Sequence, residues 1–145
     1  MSRIAVIGAG AVGSYYGARL QESGHEVNFL LRSSFETILA NGIHIESIDG
    51  DIDLTDPNIF RDSKEIGEVD WVICALKATA MDAAENLIMP CVGSRTRIIA
   101  LMNGLGIEDQ FSTWFPQTQI FGGLAFTCIN RHESGRVHHI DYGSV

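Results

Sequence analysis

The chain has 145 residues, of which 46% are hydrophobic, a length and composition that suit one globular domain with a substantial core. Its 18 acidic residues outnumber the 10 basic ones, and the resulting net charge of −8, without a basic cluster, disfavours nucleic acid as a main partner. Apolar runs such as residues 71–76 are far too short to span a bilayer, and no signal-peptide pattern begins the chain, so we expect a cytoplasmic protein without a membrane partner.

The first predicted unit is a strand, a helix and a second strand, over residues 4–7, 11–21 and 26–31. The first strand is a continuous apolar run, and the helix carries apolar residues on one face. Between them, three glycines have the spacing Gly-x-Gly-x-x-Gly. At a strand-to-helix turn this spacing is a fingerprint of dinucleotide binding. A turn without a ligand, the alternative, would explain one glycine but not three.

Each glycine of this turn has a physical role. Gly8 allows the tight turn, Gly10 lets a pyrophosphate approach the backbone, and Gly13 lets the helix pack closely on the strand. The N-terminus of the helix adds unpaired N–H groups and the positive end of the helix dipole. We therefore predict that the cofactor-binding turn comprises Gly8, Ala9, Gly10, Ala11, Val12 and Gly13.

The second strand is followed by Arg32-Ser33-Ser34, and no carboxylate occurs before Glu36. Proteins that bind NAD in this way commonly have an acid at this place, which hydrogen-bonds the ribose hydroxyls. An acid would repel the 2′-phosphate of NADP, whereas a guanidinium can make paired, charge-assisted hydrogen bonds to it. The sequence therefore predicts NADP(H) as the cofactor, with Arg32 as the main determinant. The alternative is a solvated arginine at a strand end.

Short helical and β segments occupy the middle of the chain. A helix is predicted over residues 34–40, and two β segments follow over residues 43–48 and 51–55. Asp49-Gly50 between these two segments indicates a hairpin. Parallel-strand character returns at residues 70–76, which are apolar without alternation.

The second half of the chain continues to alternate helices and strands. Helices are predicted from Thr79 and over residues 106–111, and strands over residues 97–102, 120–123, 125–129 and 136–140. The alternation predicts an α/β fold with a Rossmann-type, doubly wound and mostly parallel sheet. We interpret residues 1–145 as one dinucleotide-binding domain. Because a dehydrogenase usually needs more chain to close over its substrate, we expect this domain to begin a longer enzyme; a free-standing nucleotide-binding protein is the alternative.

Two polar segments follow strands that are predicted to end at the ligand-binding edge of the sheet. Leu76-Lys77 follows one buried strand, and Asn103-Gly104 follows the next. The amide of Asn103 offers both a donor and an acceptor. From the residues alone, Lys77 is equally well a solvated charge beside a helix, and Asn103-Gly104 an ordinary turn.

Together these motifs resemble the N-terminal domain of the ketopantoate reductase (2-dehydropantoate 2-reductase) family. The resemblance covers nearly the whole chain, in order and at the family's spacing. The matching segments are Gly8-Ala-Gly10-Ala-Val-Gly13, Gly24-His-Glu-Val, Leu31-Arg32, Leu76-Lys77-Ala78, Asn103-Gly104-Leu-Gly-Ile-Glu108 and, more loosely, residues 121–139.

The resemblance implies a reductase that transfers a hydride from NADPH to the ketone of ketopantoate, giving pantoate for coenzyme A biosynthesis. It implies that the glycine turn holds the pyrophosphate and that Arg32 holds the 2′-phosphate. Leu76 and Lys77 would border the cofactor. Asn103-Gly104 would contact the nicotinamide ribose, and Asn103 would also touch the substrate. Cys128 would lie near a backbone contact to the nicotinamide end.

The resemblance also implies a second, all-helical domain that carries the catalytic lysine, most substrate-binding residues and the contacts of a homodimer. That lysine would polarise the ketone and protonate the developing alkoxide. We therefore predict no catalytic residue within residues 1–145 and expect this domain to be inactive by itself. Two other functions stay open: another NADP-dependent 2-oxo acid or hydroxy acid reductase of the same plan, and a non-catalytic NADP-binding sensor.

The histidines and cysteines do not predict a metal site. His138 and His139 are adjacent on a predicted strand and so point to opposite faces, one packed and one exposed. Cys74, Cys91 and Cys128 form no Cys-x-x-Cys pair, which suits reduced thiols in the cytosol. Cys74 falls inside a buried strand, where a thiol is usually inert.

Overall fold

The computed structural model describes residues 1–145 as ten strands and five helices. The strands are β1 (Arg3–Ile7), β2 (Glu26–Leu30), β3 (Ile43–Ser47), β4 (Ile52–Leu54), β5 (Asn58–Phe60), β6 (Trp71–Cys74), β7 (Arg97–Ala100), β8 (Gln119–Gly122), β9 (Phe126–Glu133) and β10 (Arg136–Ser144). The helices are α1 (Ala11–Glu22), α2 (Phe35–Asn41), α3 (Ser63–Ile66), α4 (Met81–Ile88) and α5 (Ile107–Trp114). None of them combines the length and apolar character that a bilayer span requires.

Six strands form a main sheet in the order β5-β2-β1-β6-β7-β8, and every neighbouring pair is parallel. The chain builds one half outward from β1 and then returns to build the other half from β6. The carboxyl ends of β1 and β6 therefore flank the point where the winding reverses, which is where open α/β sheets bind ligands. The prediction of an α/β fold with a parallel, Rossmann-type sheet is confirmed.

The remaining four strands form a second sheet, in the order β4-β3-β10-β9. The predicted hairpin is present as the antiparallel pair β3–β4. β10 joins β3 in parallel and β9 in antiparallel orientation. The sequence analysis predicted these strands but not their separate sheet, because the parallel pairing of β10 with β3 joins segments that are far apart in the chain.

The core consists of two apolar clusters, one on each face of the main sheet. Neighbouring residues of β1 contribute to different clusters: Ile7 packs toward α4 and α5, and Val6 packs toward α1. This follows from the alternation of side chains along a strand and explains why the parallel strands are apolar throughout. Ile45 and Val137 of the second sheet belong to the cluster that contains Val6, so α1 lies between the two sheets.

His139 connects the second sheet to α1. Its side chain is fully buried, and its ring lies 4.4 Å from that of Tyr15 in α1. Its Nε2 donates to the carbonyl oxygen of Tyr142 at 2.7 Å, so its Nδ1 accepts from the Ser47 hydroxyl at 2.7 Å. His138 is partly exposed on the opposite face. The prediction that one of the two histidines is packed and the other exposed is confirmed.

Candidate functional site

The first glycine of the fingerprint lies against the end of β6. After β1 the chain turns through Gly8, which has a φ of 94°. A Cβ at this position would lie 2.8 Å from the carbonyl carbon of Ala75 and the nitrogen of Leu76. Only glycine combines this φ with so close an approach of two backbones. The turns that follow β1 and β6 therefore lie side by side at the point where the winding reverses.

The other two glycines have opposite surroundings. A Cβ on Gly13 would overlap the carbonyl oxygen of Gly8, so the first turn of α1 packs directly on the glycine turn. Around Gly10 no atom lies within 4 Å of the place a Cβ would take. The absence of a side chain at Gly10 is therefore not required by packing, and it leaves space in which a ligand can approach the backbone.

The N-terminus of α1 has hydrogen-bond donors to offer. The N–H of Ser14 donates to the carbonyl oxygen of Gly10 at 3.0 Å, which closes the first turn. The N–H groups of Ala11, Val12 and Gly13 precede that bond and have no intrahelical partner. No side chain caps the helix, and its first turn contains no acidic residue. This end of α1 is suited to a phosphate group.

A groove of about 240 Å³ runs along the glycine turn at the carboxyl ends of β1, β2 and β6. It brings together six of the predicted cofactor-binding residues: Gly8, Ala9, Gly10, Arg32, Leu76 and Lys77. Ser33 and Ser34, which follow Arg32, also line it. Segments that are distant in sequence therefore meet in one groove because parallel strands end at the same edge.

The charges around the groove are of one sign. Arg32, Lys77 and Arg131 line it, and none of the three belongs to a salt bridge. No carboxylate lines the groove, although the chain has 18 acidic residues. Glu36, the first acid after Arg32 in sequence, is paired with Arg61 instead. The groove therefore presents positive charge on a protein of negative net charge.

The sequence analysis did not single out Arg131. The residue lies on β9 in the second sheet, about a hundred positions after Arg32. No local pattern marks it, because its place beside the groove depends on how the two sheets pack. An excess of basic residues beside the groove would be a signal for such a residue. The sequence does not show this excess, because it does not show that β9 lies beside the groove.

Six predicted cofactor-binding residues do not line this groove. Three of them, Ala11, Val12 and Gly13, form the first turn of α1 directly after Gly10. Asn103 and Gly104 are exposed beyond the end of β7, one strand further along the same edge of the main sheet as Lys77. Cys128 is exposed on β9. The roles of these residues toward a nicotinamide ring, its ribose and a substrate stay predictions, as do the individual roles of the groove residues.

Two of the three thiols are unreactive near neutral pH. Cys74 at the end of β6 and Cys91 are buried, and burial raises the pKa of each thiol to about 11. The Sγ of Cys74 lies 3.5 Å from the Sδ of Met102. Because the thiolate is the reactive form, neither residue is a nucleophile near neutral pH. The expectation that Cys74 is inert agrees with this environment.

Comparison with known proteins assigns the family. The chain matches the family model described as ketopantoate reductase PanE/ApbA over residues 4–145. A curated relative, 2-dehydropantoate 2-reductase of Nostoc sp., is 40% identical over 143 residues, which are 99% of this chain and 45% of that protein. The uncharacterized oxidoreductase YkpB of Bacillus subtilis is 33% identical over 135 residues, 92% of this chain and 44% of that protein.

Solved structures agree. The 2-dehydropantoate 2-reductase of Geobacter metallireducens is 48% identical with a TM-score of 0.93, over 97% of this chain and 47% of that one. A ternary structure of D-mandelate dehydrogenase with NADH and anilino(oxo)acetate is 26% identical with a TM-score of 0.86, over 97% of this chain and 46% of that one. The chain thus spans about half the length of the relatives it matches. It belongs to the ketopantoate reductase PanE/ApbA family and represents the N-terminal domain of that family.

Proposed function

We propose that this chain binds NADP(H) in preference to NAD(H), as the cofactor domain of an oxidoreductase that reduces 2-dehydropantoate. One observation carries the cofactor part of the proposal. The first wall of the groove consists of the open glycine turn and the N-terminus of α1. The second wall carries unpaired cations and no carboxylate. The first wall suits a pyrophosphate, and the second suits the additional phosphate that distinguishes NADP from NAD.

Each predicted cofactor-binding segment then has one task. The N–H groups at the start of α1 bind the pyrophosphate. Because Gly10 has no side chain, the pyrophosphate can approach the backbone closely. The Arg32 guanidinium binds the 2′-phosphate, and Lys77 borders the cofactor from the end of β6. Asn103, one strand further on, orients the nicotinamide ribose and the substrate. When bound, NADPH supplies the hydride for the reduction.

The names of similar proteins support ketopantoate as the substrate. The Nostoc and Geobacter proteins are both described as 2-dehydropantoate 2-reductases. The similarity to D-mandelate dehydrogenase, whose structure contains NADH and anilino(oxo)acetate, favours a second candidate function. In that case the chain serves a reductase for a different 2-oxo acid.

We expect residues 1–145 to bind cofactor without turning over substrate. Lys77 is exposed at the cofactor groove and is assigned no role as a general acid. Steady-state turnover by the longer protein that contains residues 1–145 tests the substrate, because its own second domain supplies the other substrate contacts. NADPH oxidation by that protein with ketopantoate but not with phenylglyoxylate supports the first candidate function, and the reverse preference supports the second.

Calorimetric titration of the chain with NADPH and with NADH tests the cofactor. The proposal predicts that NADPH binds at least about tenfold more tightly, a difference of about 1.4 kcal/mol. Equal affinities would keep the dinucleotide site but remove the 2′-phosphate contact. If neither cofactor bound, the glycine turn would be only a packing feature of the fold.

A further inference from the structure

We propose that Arg131 of the second sheet is a second cationic contact for the 2′-phosphate of NADP(H), and hence a determinant of cofactor choice. This inference rests on the proposed function. Its starting point is that Arg131 lines the same groove as Arg32 and the glycine turn, although it comes from a different sheet.

The register of the second sheet explains why this side chain reaches the groove. Arg131 is paired with Val137 across the antiparallel β9–β10 ladder, so the two side chains point to the same face. Val137 is buried in the cluster that contains α1 and β2 residues. Ile129, two positions before Arg131, packs against the same cluster. The inner face of β9 therefore packs on the core at Ile129, and the next inward-facing side chain, Arg131, lies at the edge of the core beside the groove.

The β9–β10 turn packs against α2 and β3, the two elements that follow Arg32 in the chain. Gly135 in this turn has a φ of 79°, and its carbonyl oxygen accepts from the N–H of His44 at 2.7 Å. A Cβ on Gly135 would lie 2.7 Å from the carbonyl oxygen of Gly42 and 3.1 Å from Ile38. Ile38 belongs to α2, which begins directly after Arg32-Ser33-Ser34. The two arginines are thus held in one locally packed unit.

The positive charge of Arg131 has no acidic partner within the chain. Arg136 on the same hairpin is paired with Glu133 at 2.8 Å, whereas Arg131 belongs to no salt bridge. A phosphate monoester carries a charge of about −1.5 to −2 near neutral pH, so Arg32 alone leaves it incompletely neutralised. A second guanidinium completes the neutralisation and adds charge-assisted hydrogen bonds. NAD(H) lacks this phosphate and gains nothing from Arg131.

Arg131→Gln tests the inference, with Arg136→Gln as the matched control. Both variants remove one positive charge from the same hairpin, but only Arg131 lines the groove. We expect Arg131→Gln to weaken NADPH binding about tenfold, which corresponds to about 1.4 kcal/mol, and to leave NADH binding unchanged. Arg136→Gln should leave both affinities unchanged. Arg131→Lys should recover part of the NADPH affinity, since it restores the charge without the planar fork.

The possible outcomes separate this inference from the proposed function. If the wild-type chain prefers NADPH and Arg131→Gln binds it equally well, the proposed function stands and the role of Arg131 is wrong. If Arg131→Gln weakens NADPH and NADH to the same extent, Arg131 does not read the 2′-phosphate and the inference also fails. If the wild-type chain shows no preference, the proposed function itself fails. Thermal unfolding of each variant shows whether a loss of affinity comes from a loss of folded protein.

Discussion

Arg32 is the residue on which the cofactor proposal depends most. It is exposed at the end of β2, and no acid lines the groove beside it. An aspartate there would repel the 2′-phosphate and could accept hydrogen bonds from ribose hydroxyls. We expect Arg32→Asp to lower the ratio of NADPH to NADH affinity by about 100-fold, or about 2.7 kcal/mol, in calorimetric titrations.

The control for this change is Arg95→Asp. Arg95 is exposed, belongs to no salt bridge and lies outside the cofactor groove. The same reversal of charge should therefore leave the affinity ratio unchanged. If Arg95→Asp shifted the ratio as much as Arg32→Asp, a general effect of net charge would replace the specific contact.

The thiols allow a prediction about pH. Cys128 is exposed, whereas the pKa values of buried Cys74 and Cys91 are raised from 9.0 to about 11. At about pH 8, one thiol per chain should react rapidly with Ellman's reagent, and the other two only after unfolding. Cys128→Ser should abolish the rapid reaction. Two rapid thiols in the wild-type chain would contradict the buried positions.

The same shifts set the sign of a stability effect. The pKa of each buried thiol is higher in the folded chain than its ordinary value of 9.0. The stability gained by keeping these thiols neutral is therefore complete below pH 9.0 and is lost as the pH rises toward about 11. Replacing Cys74 by alanine should reduce this alkaline loss in urea unfolding, because one of the two buried thiols is removed.

At the level of the strand-to-helix unit, Gly10 and Gly13 form a matched pair. Gly10 has open space around it and a φ of −78°, which alanine adopts readily. Gly10→Ala should leave the free energy of unfolding within about 0.5 kcal/mol of wild type, yet weaken NADPH binding about tenfold by obstructing the pyrophosphate. Gly13→Ala should destabilise the fold by about 3 kcal/mol, because its Cβ would overlap the Gly8 carbonyl oxygen.

Urea unfolding and NADPH titration of both variants separate these effects. A stable Gly10→Ala variant that binds NADPH normally would show that Gly10 does not face the cofactor. A Gly13→Ala variant as stable as wild type would show that the packing of α1 on the glycine turn can relax.

The elements that the sequence predicted well are those with strong local patterns. β1, β2, β6 and β7 are apolar because both faces of the main sheet are covered, and such runs are recognisable without a structure. β5 and α3 were missed. β5 has only three residues and is a strand because its backbone pairs with β2; α3 has only four. Elements this short lack a periodicity that could predict them.

For the whole molecule, the shared cluster predicts that the two sheets unfold together. Val6 and Phe29 of the main sheet pack with Ile45 and Val137 of the second sheet. Loss of either sheet therefore exposes apolar residues of the other sheet that belong to this shared cluster. Tryptophan fluorescence and far-UV circular dichroism should give coincident urea transitions. Two separate transitions would contradict a common core.

His139 is the residue that tests this connection. His139→Ala leaves the Ser47 hydroxyl and the Tyr142 carbonyl without their partner and opens a cavity beside Tyr15. We expect a loss of about 3 kcal/mol in the free energy of unfolding, seen equally by both probes. Its neighbour His138 is partly exposed, so His138→Ala should cost less than about 1 kcal/mol. Equal losses for the two variants would remove the buried histidine as a link between the sheets.

The sequence by itself determined the parallel α/β architecture, the glycine turn and the position of Arg32, because each depends on a local pattern: a covered strand, a fixed spacing of glycines, or a residue directly after a strand. Only the tertiary structure decided that β10 pairs with β3 in a separate sheet, and that Arg131 on β9 therefore lies beside the groove. The physical reason is that strand pairing satisfies backbone hydrogen bonds between distant segments, and nothing local in β9 or β10 specifies the partner.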